Sequence, residues 1–216
     1  MDFLHQIPGV FQYISQNPAE FWGEVETQLQ LSGYALLIAL VLAFPVGVLA
    51  SRSRLVSLYS VNLVGVARAI PSVALLFLMF PLLGGGFQPS VAALTVLAIP
   101  PILINTNVGF REVDPAVREA AEGMGMNTLQ VLRRVEFPLA LPVILAGVRT
   151  AAVEVIASAT LATFIGGGGL GDYITEGLAM IDVRLILVGA LPVAVLTLLA
   201  EVILSGIERT VRQPAT

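Results

Sequence analysis

The sequence predicts an all-α, polytopic membrane protein. It should have five transmembrane helices, its N-terminus outside, its C-terminus inside and a cytoplasmic helical loop between spans three and four. Three observations predict this. Of 216 residues, 56% are hydrophobic and only 12% are charged, and the mean hydropathy is +0.89. Soluble domains hold about 45–50% apolar and about 25% charged residues, so a water-soluble fold would have nowhere to place the surplus. Five runs approach the roughly 20 apolar residues that cross a bilayer. Finally, the arginines gather on one side of those runs, as charges do at cytoplasmic loops.

Residues 1–26 carry Asp2, Glu20, Glu24 and Glu26 but no basic residue. A cleavable signal peptide needs a basic start, so this part reads as an extracytoplasmic or interfacial segment. Tyr13, Phe21 and Trp22 suit a headgroup boundary. The first span is Thr27–Ala50. The second lies within Leu55–Leu83 and carries Arg68 and Pro71. It is either one long helix with Arg68 deep inside, or an interfacial Leu55–Ala67 followed by a span that starts near Ala69, because proline disrupts a continuous helix. The third span is Ser90–Phe110, with Pro100-Pro101 near its middle. The fourth is Leu141–Ile165, where Gly147 and Ala151 stand four apart, a spacing that lets helices approach closely. The fifth is Leu185–Ile207, and residues 208–216 form a tail. With the N-terminus outside, inner loops and tail hold eight arginines (Arg52, Arg54, Arg111, Arg118, Arg133, Arg134, Arg209 and Arg212), while outer segments hold only Arg184.

Composition also excludes chemistry. There is no cysteine and no lysine, and His5 is the only histidine. A disulfide, a thiol nucleophile, a Walker A lysine and an HExxH zinc site are all ruled out. A net charge of −4 without a basic face argues against nucleic acid.

One stretch breaks the apolar pattern. "EAAEGMGMNTLQVLRRVEFP", Glu119–Pro138, holds three glutamates and two arginines. Before it, Asp114-Pro115 is an N-cap followed by a proline suited to the first helical position. Gly123 and Gly125 stop that helix. Asn127 with Gln130 then reads as a capping box opening a second short helix, which is predicted to end before Pro138. Val117, Ala120, Ala121, Met124, Leu129, Leu132 and Val135 make an apolar face, and the rest is charged. Such a pair either docks into a partner or lies on the inner leaflet. Glu112, Glu119, Glu122 and Glu136 disfavour an anionic lipid surface.

The same stretch resembles the loop EAA-x3-G-x9-I-x-L-P of permease subunits of binding-protein-dependent ABC importers. Glu119-Ala120-Ala121, Gly125 and Val135-Glu136-Phe137-Pro138 keep the spacing, with Val and Phe in place of Ile and Leu. The resemblance implies an ABC type-1 permease domain over residues 27–207, with a coupling helix seated in a groove of a cytoplasmic ATPase. Glu119, Ala120, Ala121, Gly125, Leu129, Leu132 and Pro138 would make that contact. It further implies ATP bound by the partner ATPase rather than by this chain, no cofactor or metal of its own, and a second permease copy or paralogue. An extracytoplasmic solute-binding protein would deliver the solute, and no bond chemistry would be done by this chain. "ARAIPS", "REVDPAVREAAEGMGM", "FPLALPVILAGVRTA" and "GGGGLGDYI" resemble more narrowly the permeases that import glycine betaine, choline or carnitine. The methionine importer permease is a relative with the same five-span plan. The alternatives are a permease for another small solute, such as an amino acid, and a stand-alone channel or secondary transporter.

Further residues stand out. Glu154 sits in the fourth span, where a carboxylate costs about 2.5 kcal/mol or more. It either lines a path or pairs with Arg68 or Arg149, and Glu201 in span five has the same two readings, with more weight on pairing. Asn105, Thr106 and Asn107 read as hydrogen-bonded glue between helices, with Asn105 and Arg68 also candidates for the path. Gly166–Gly171, "GGGGLG", matches a dinucleotide fingerprint in letters but follows no strand. It reads as an outer loop, or as a hinge beside an external gate where Gly169, Asp172 and Tyr173 would meet the binding protein.

Overall fold

In hydrocarbon every backbone N–H and C=O must be satisfied within the chain, which makes the helix the natural state of each apolar run. The computed structural model describes residues 6–211 apart from 54, 56, 59–64 and 66–69, and among the described residues there is no strand. The helices are α1 (Ile7–Gln16), α2 (Pro18–Ser51), α3 (Ser72–Leu83), α4 (Phe87–Arg111), α5 (Pro115–Gly123), α6 (Thr128–Val131), α7 (Phe137–Ala159), α8 (Gly171–Met180) and α9 (Val183–Val211). A π turn at Leu132–Glu136 joins α6 to α7, and a 3-10 turn at Thr160–Ile165 follows α7.

Among the described residues, four helical runs are long and apolar enough to cross a membrane: α2, α4, the continuous Thr128–Ile165 and α9. The predicted second span is represented by α3, whose 12 residues reach only about 18 Å at the α-helical rise. Pro71 stands at the N-cap of α3 with ψ 137°, so the chain breaks there and the reading with a break at Pro71 is favoured. Arg68 lies outside the described residues.

Helix α4 is the hub of the packing. Of its most apolar stretch 61% is buried, against 17% for α9. Helices α2 and α7 flank it, and Leu31, Ala35, Ala39, Leu94, Ala98, Ile102, Ala151 and Val155 share one core. Outward-facing Leu37, Val41, Leu198 and Val202 stay exposed, which suits lipid and would be a liability in water. The small-residue spacing at Gly147 has its purpose here. A Cβ there would come within 2.5 Å of the Asn105 Cβ and 2.7 Å of the Pro101 carbonyl, so only glycine lets α7 lie this close to α4.

Two predicted boundaries differ. The first long helix starts earlier than the predicted span, since α2 begins at Pro18 and runs through Thr27 without a break, and α1 packs on α9. Phe21 is buried there, with Tyr13 edge-on to Tyr173 and Phe21 tilted against it, and only Trp22 stays 63% exposed. The second short helix also does not end before Pro138. The missing N–H of Pro138 would interrupt regular α bonding, and the wider π turn, in which the Phe137 N–H reaches the Leu132 carbonyl, carries the helix past it.

Candidate functional site

The charged loop is built by local capping. Asp114 Oδ1 accepts from the Ala116 N–H at 2.8 Å and opens α5. Gly125 adopts φ +82°. The Met126 N–H reaches the Ala121 carbonyl and the Gly125 N–H reaches the Glu122 carbonyl, which is a Schellman close. Asn127 and Gln130 exchange two hydrogen bonds of 2.9 Å each, so the predicted capping box is present.

The predicted apolar face divides in two. Ala121 turns inward, as does Val131, while Leu132 and Val135 are half-buried. Val117, Ala120, Met124 and Leu129 face solvent, with Met124 72% exposed. Glu119, Gly125 and Pro138 are exposed as well. Of the seven residues assigned to ATPase contact, Ala121 is therefore a packing residue of the loop itself.

Sequence reasoning missed the electrostatic centre of this region. Glu136, read as part of the charged outer face, is only 1% exposed. Arg52, at the end of α2, donates to both its oxygens, Nη1 to Oε1 at 2.9 Å and Nη2 to Oε2 at 2.5 Å. Arg118 of α5 brings its Nε to 2.8 Å from Oε1 and donates through Nη2 to the Phe110 carbonyl at the end of α4. In a regular α-helix Glu136 would share a face with the exposed Arg133. The π turn shifts that register and turns Glu136 inward.

Deeper in the bundle, a cleft of about 550 Å³ opens between α3, α4 and α7, with Pro71, Ser72, Pro100, Glu154 and Ser158 on its walls. Glu154 thus faces a cavity, as one of its two readings requires. Asn105 is absent from those walls. Its Nδ2 donates to the Pro101 carbonyl of its own helix at 2.8 Å, and its Cβ packs toward Gly147. The glue reading holds for Asn107, which bonds Ser57 at 2.9 Å, while Arg111 donates to the same hydroxyl at 2.8 Å. Arg149 is not the partner of Glu154. It reaches Glu201 at 3.2 Å and Glu208 at 3.6 Å on α9, because five residues along a helix turn a side chain by about 140°. Glu201 is accordingly a pairing residue.

The glycine loop is a fastened turn rather than a free one. Gly166, Gly168 and Gly169 have positive φ, and the Gly169 N–H donates to Glu24 Oε2 on α2 at 2.7 Å. Nearby, buried Gln28 donates to the Ile156 carbonyl at 2.8 Å, one of the last carbonyls of α7, which lack helical donors. Tyr173 is 2% exposed, so its side chain does not offer the surface contact expected of it. Burial, with help from Glu20, pushes its hydroxyl well above the ordinary tyrosine range. Asp172 is half-buried and Gly169 is buried.

Comparison with known proteins agrees with this arrangement. Residues 34–213 match the family described as binding-protein-dependent transport system inner membrane component. The chain is 38% identical over 200 residues to the choline transport system permease protein OpuBB of Bacillus subtilis, covering 93% of this chain and 92% of that one. It is 40% identical over 199 residues to the carnitine transport permease protein OpuCB of Listeria monocytogenes, covering 92% and 91%. Among solved structures, an inward-facing MetNI methionine ABC transporter chain superposes with a TM-score of 0.81 at 23% identity, covering 92% of this chain and 99% of that one, a likeness of fold. Set beside the apolar helices and the capped loop between α4 and α7, these matches show that the chain belongs to the binding-protein-dependent transport system inner membrane component family.

Proposed function

We propose that this chain is the membrane-spanning subunit of an ATP-driven importer for glycine betaine, choline, carnitine or a related osmoprotectant. The observation that carries the ATP-driven part is the capped pair α5–α6, with Val117, Met124 and Leu129 exposed beside Glu119. Its apolar rim has the composition of a docking patch. The substrate class rests on the relatives, whose names include glycine betaine, carnitine and choline permeases. The likeness to the methionine transporter is one of fold and carries no substrate.

In this reading the chain has five spans with its N-terminus outside, and two permease subunits pair because five spans do not enclose a path alone. Arg52, Arg111, Arg118, Arg133, Arg134 and Arg209 then lie inside, and only Arg184 outside. ATP binding by the partner draws the coupling helices together and opens the spans outward, and hydrolysis resets them. The Glu154 cleft belongs to the path, where its carboxylate would face a quaternary ammonium group. High-affinity capture is left to the binding protein.

The test is uptake into proteoliposomes holding the permease, its ATPase and its binding protein. Labelled glycine betaine, choline or carnitine should accumulate only with ATP inside and should resist excess methionine. Accumulation of methionine instead would move the assignment to amino acids, and ATP-independent flux would remove the importer reading altogether.

A further inference from the structure

We propose that Glu136 is the positioning residue through which the coupling helix moves the membrane helices, with Arg52 and Arg118 as its two arms. The proposal rests on the importer reading above. Three elements meet at this carboxylate, and Arg118 ties in a fourth. Arg52 closes α2, Glu136 closes the π turn that leads into α7, Arg118 belongs to α5, and the Phe110 carbonyl that Arg118 also holds is at the end of α4. Helix α5 packs mainly on α6 and the π turn, so its charged link to α2 passes through Arg118 and Glu136, and Arg118 itself reaches α4.

The chemistry suits transmission. The planar guanidinium of Arg52 grips both oxygens of the carboxylate, which is directional and resists sliding, and Arg118 adds an ion pair at Oε1. At 1% exposure the Glu136 carboxylate has little water to replace a lost partner, so separating it from Arg118 is unfavourable at every stage of a transport cycle. A push on α5 is therefore passed to α2 and α7 together. The exposed residues of the loop make the contact with the partner, and Glu136 converts that contact into helix movement.

The experiment measures solute taken up per ATP hydrolysed in the reconstituted complex, together with co-purification of the ATPase. Glu136→Gln keeps the shape and removes the charge. The expected result is intact co-purification and continued ATP hydrolysis, with uptake per ATP reduced about tenfold, within the range of typical coupling energies. Arg118→Gln, which cuts the arm to α5 and with it the bond to the Phe110 carbonyl but leaves the Arg52 grip in place, should give the same reduction, and it decides the matter if Glu136→Gln fails to insert. Glu136→Asp should recover part of the coupling. Unchanged uptake per ATP in Arg118→Gln overturns the proposal while leaving the importer reading in place. A fall in uptake and hydrolysis in equal proportion, with loss of the ATPase, also overturns it, because the residue would then be structural only. A wild-type complex that retains no ATPase would overturn the importer reading and this proposal together.

Discussion

Gly125 holds φ at +82°, and nothing lies within 4 Å of the place where a Cβ would stand. A substitution there is felt through backbone strain alone. Gly125→Val should cost about 1–2 kcal/mol in the turn and should weaken ATPase association or lower uptake without preventing insertion. Normal association together with normal uptake would count against the role given to the loop. Glu154→Gln keeps the shape of the cleft and should slow uptake more than it reduces the amount of assembled complex. Failure to insert would instead make Glu154 a structural residue. At this scale the sequence was informative where the chemistry is local. The cap at Asp114 and the box at Asn127 and Gln130 lie within three residues of their partners. Glu136 was not legible, because Arg52 is 84 positions away and a π turn, which no simple periodicity announces, sets its direction. Tyr173 was misread for a related reason, since the aromatic residues that bury it come from α1 and the start of α2.

Among the elements, the closest approach the sequence foretold is that of α7 on α4 at Gly147. Gly147→Leu should force these helices apart, an overpacking worth about 1–3 kcal/mol. It should be read as a lower thermal unfolding temperature of the detergent-solubilised protein, and an unchanged temperature would mean that the approach tolerates a side chain. The apolar runs were legible because hydrocarbon leaves the helix as the natural choice. Their ends were less so. Helix α2 extends nine residues upstream of the predicted start at Thr27, to Pro18, because Phe21 and Val25 find a buried place against α8 and α9. A proline inside α7's approach did not stop the chain at Pro138, since the π turn satisfies what the proline cannot.

For the molecule as a whole, the proposed orientation places the N-terminus outside and the loop between α4 and α7 inside. The chain has no cysteine, so single introduced cysteines report without background. In intact cells a membrane-impermeant maleimide should label Gln16→Cys and should leave Arg134→Cys unlabelled until the membrane is opened. The reverse pattern would invert the proposed orientation. The arginine bias was legible because charge placement is a property of composition along the chain, whereas the meeting of α2, α5 and α7 at one carboxylate arises only on folding. The central claim is that the loop between α4 and α7 docks on an ATPase, and a photo-cross-linker placed at Met124 in the assembled complex tests it most directly. Met124 is 72% exposed, and Phe77, 50% exposed on α3, serves as the control. The account predicts a covalent adduct between this chain and the ATPase from position 124 and none from position 77. An adduct from neither position, or equally from both, would contradict it.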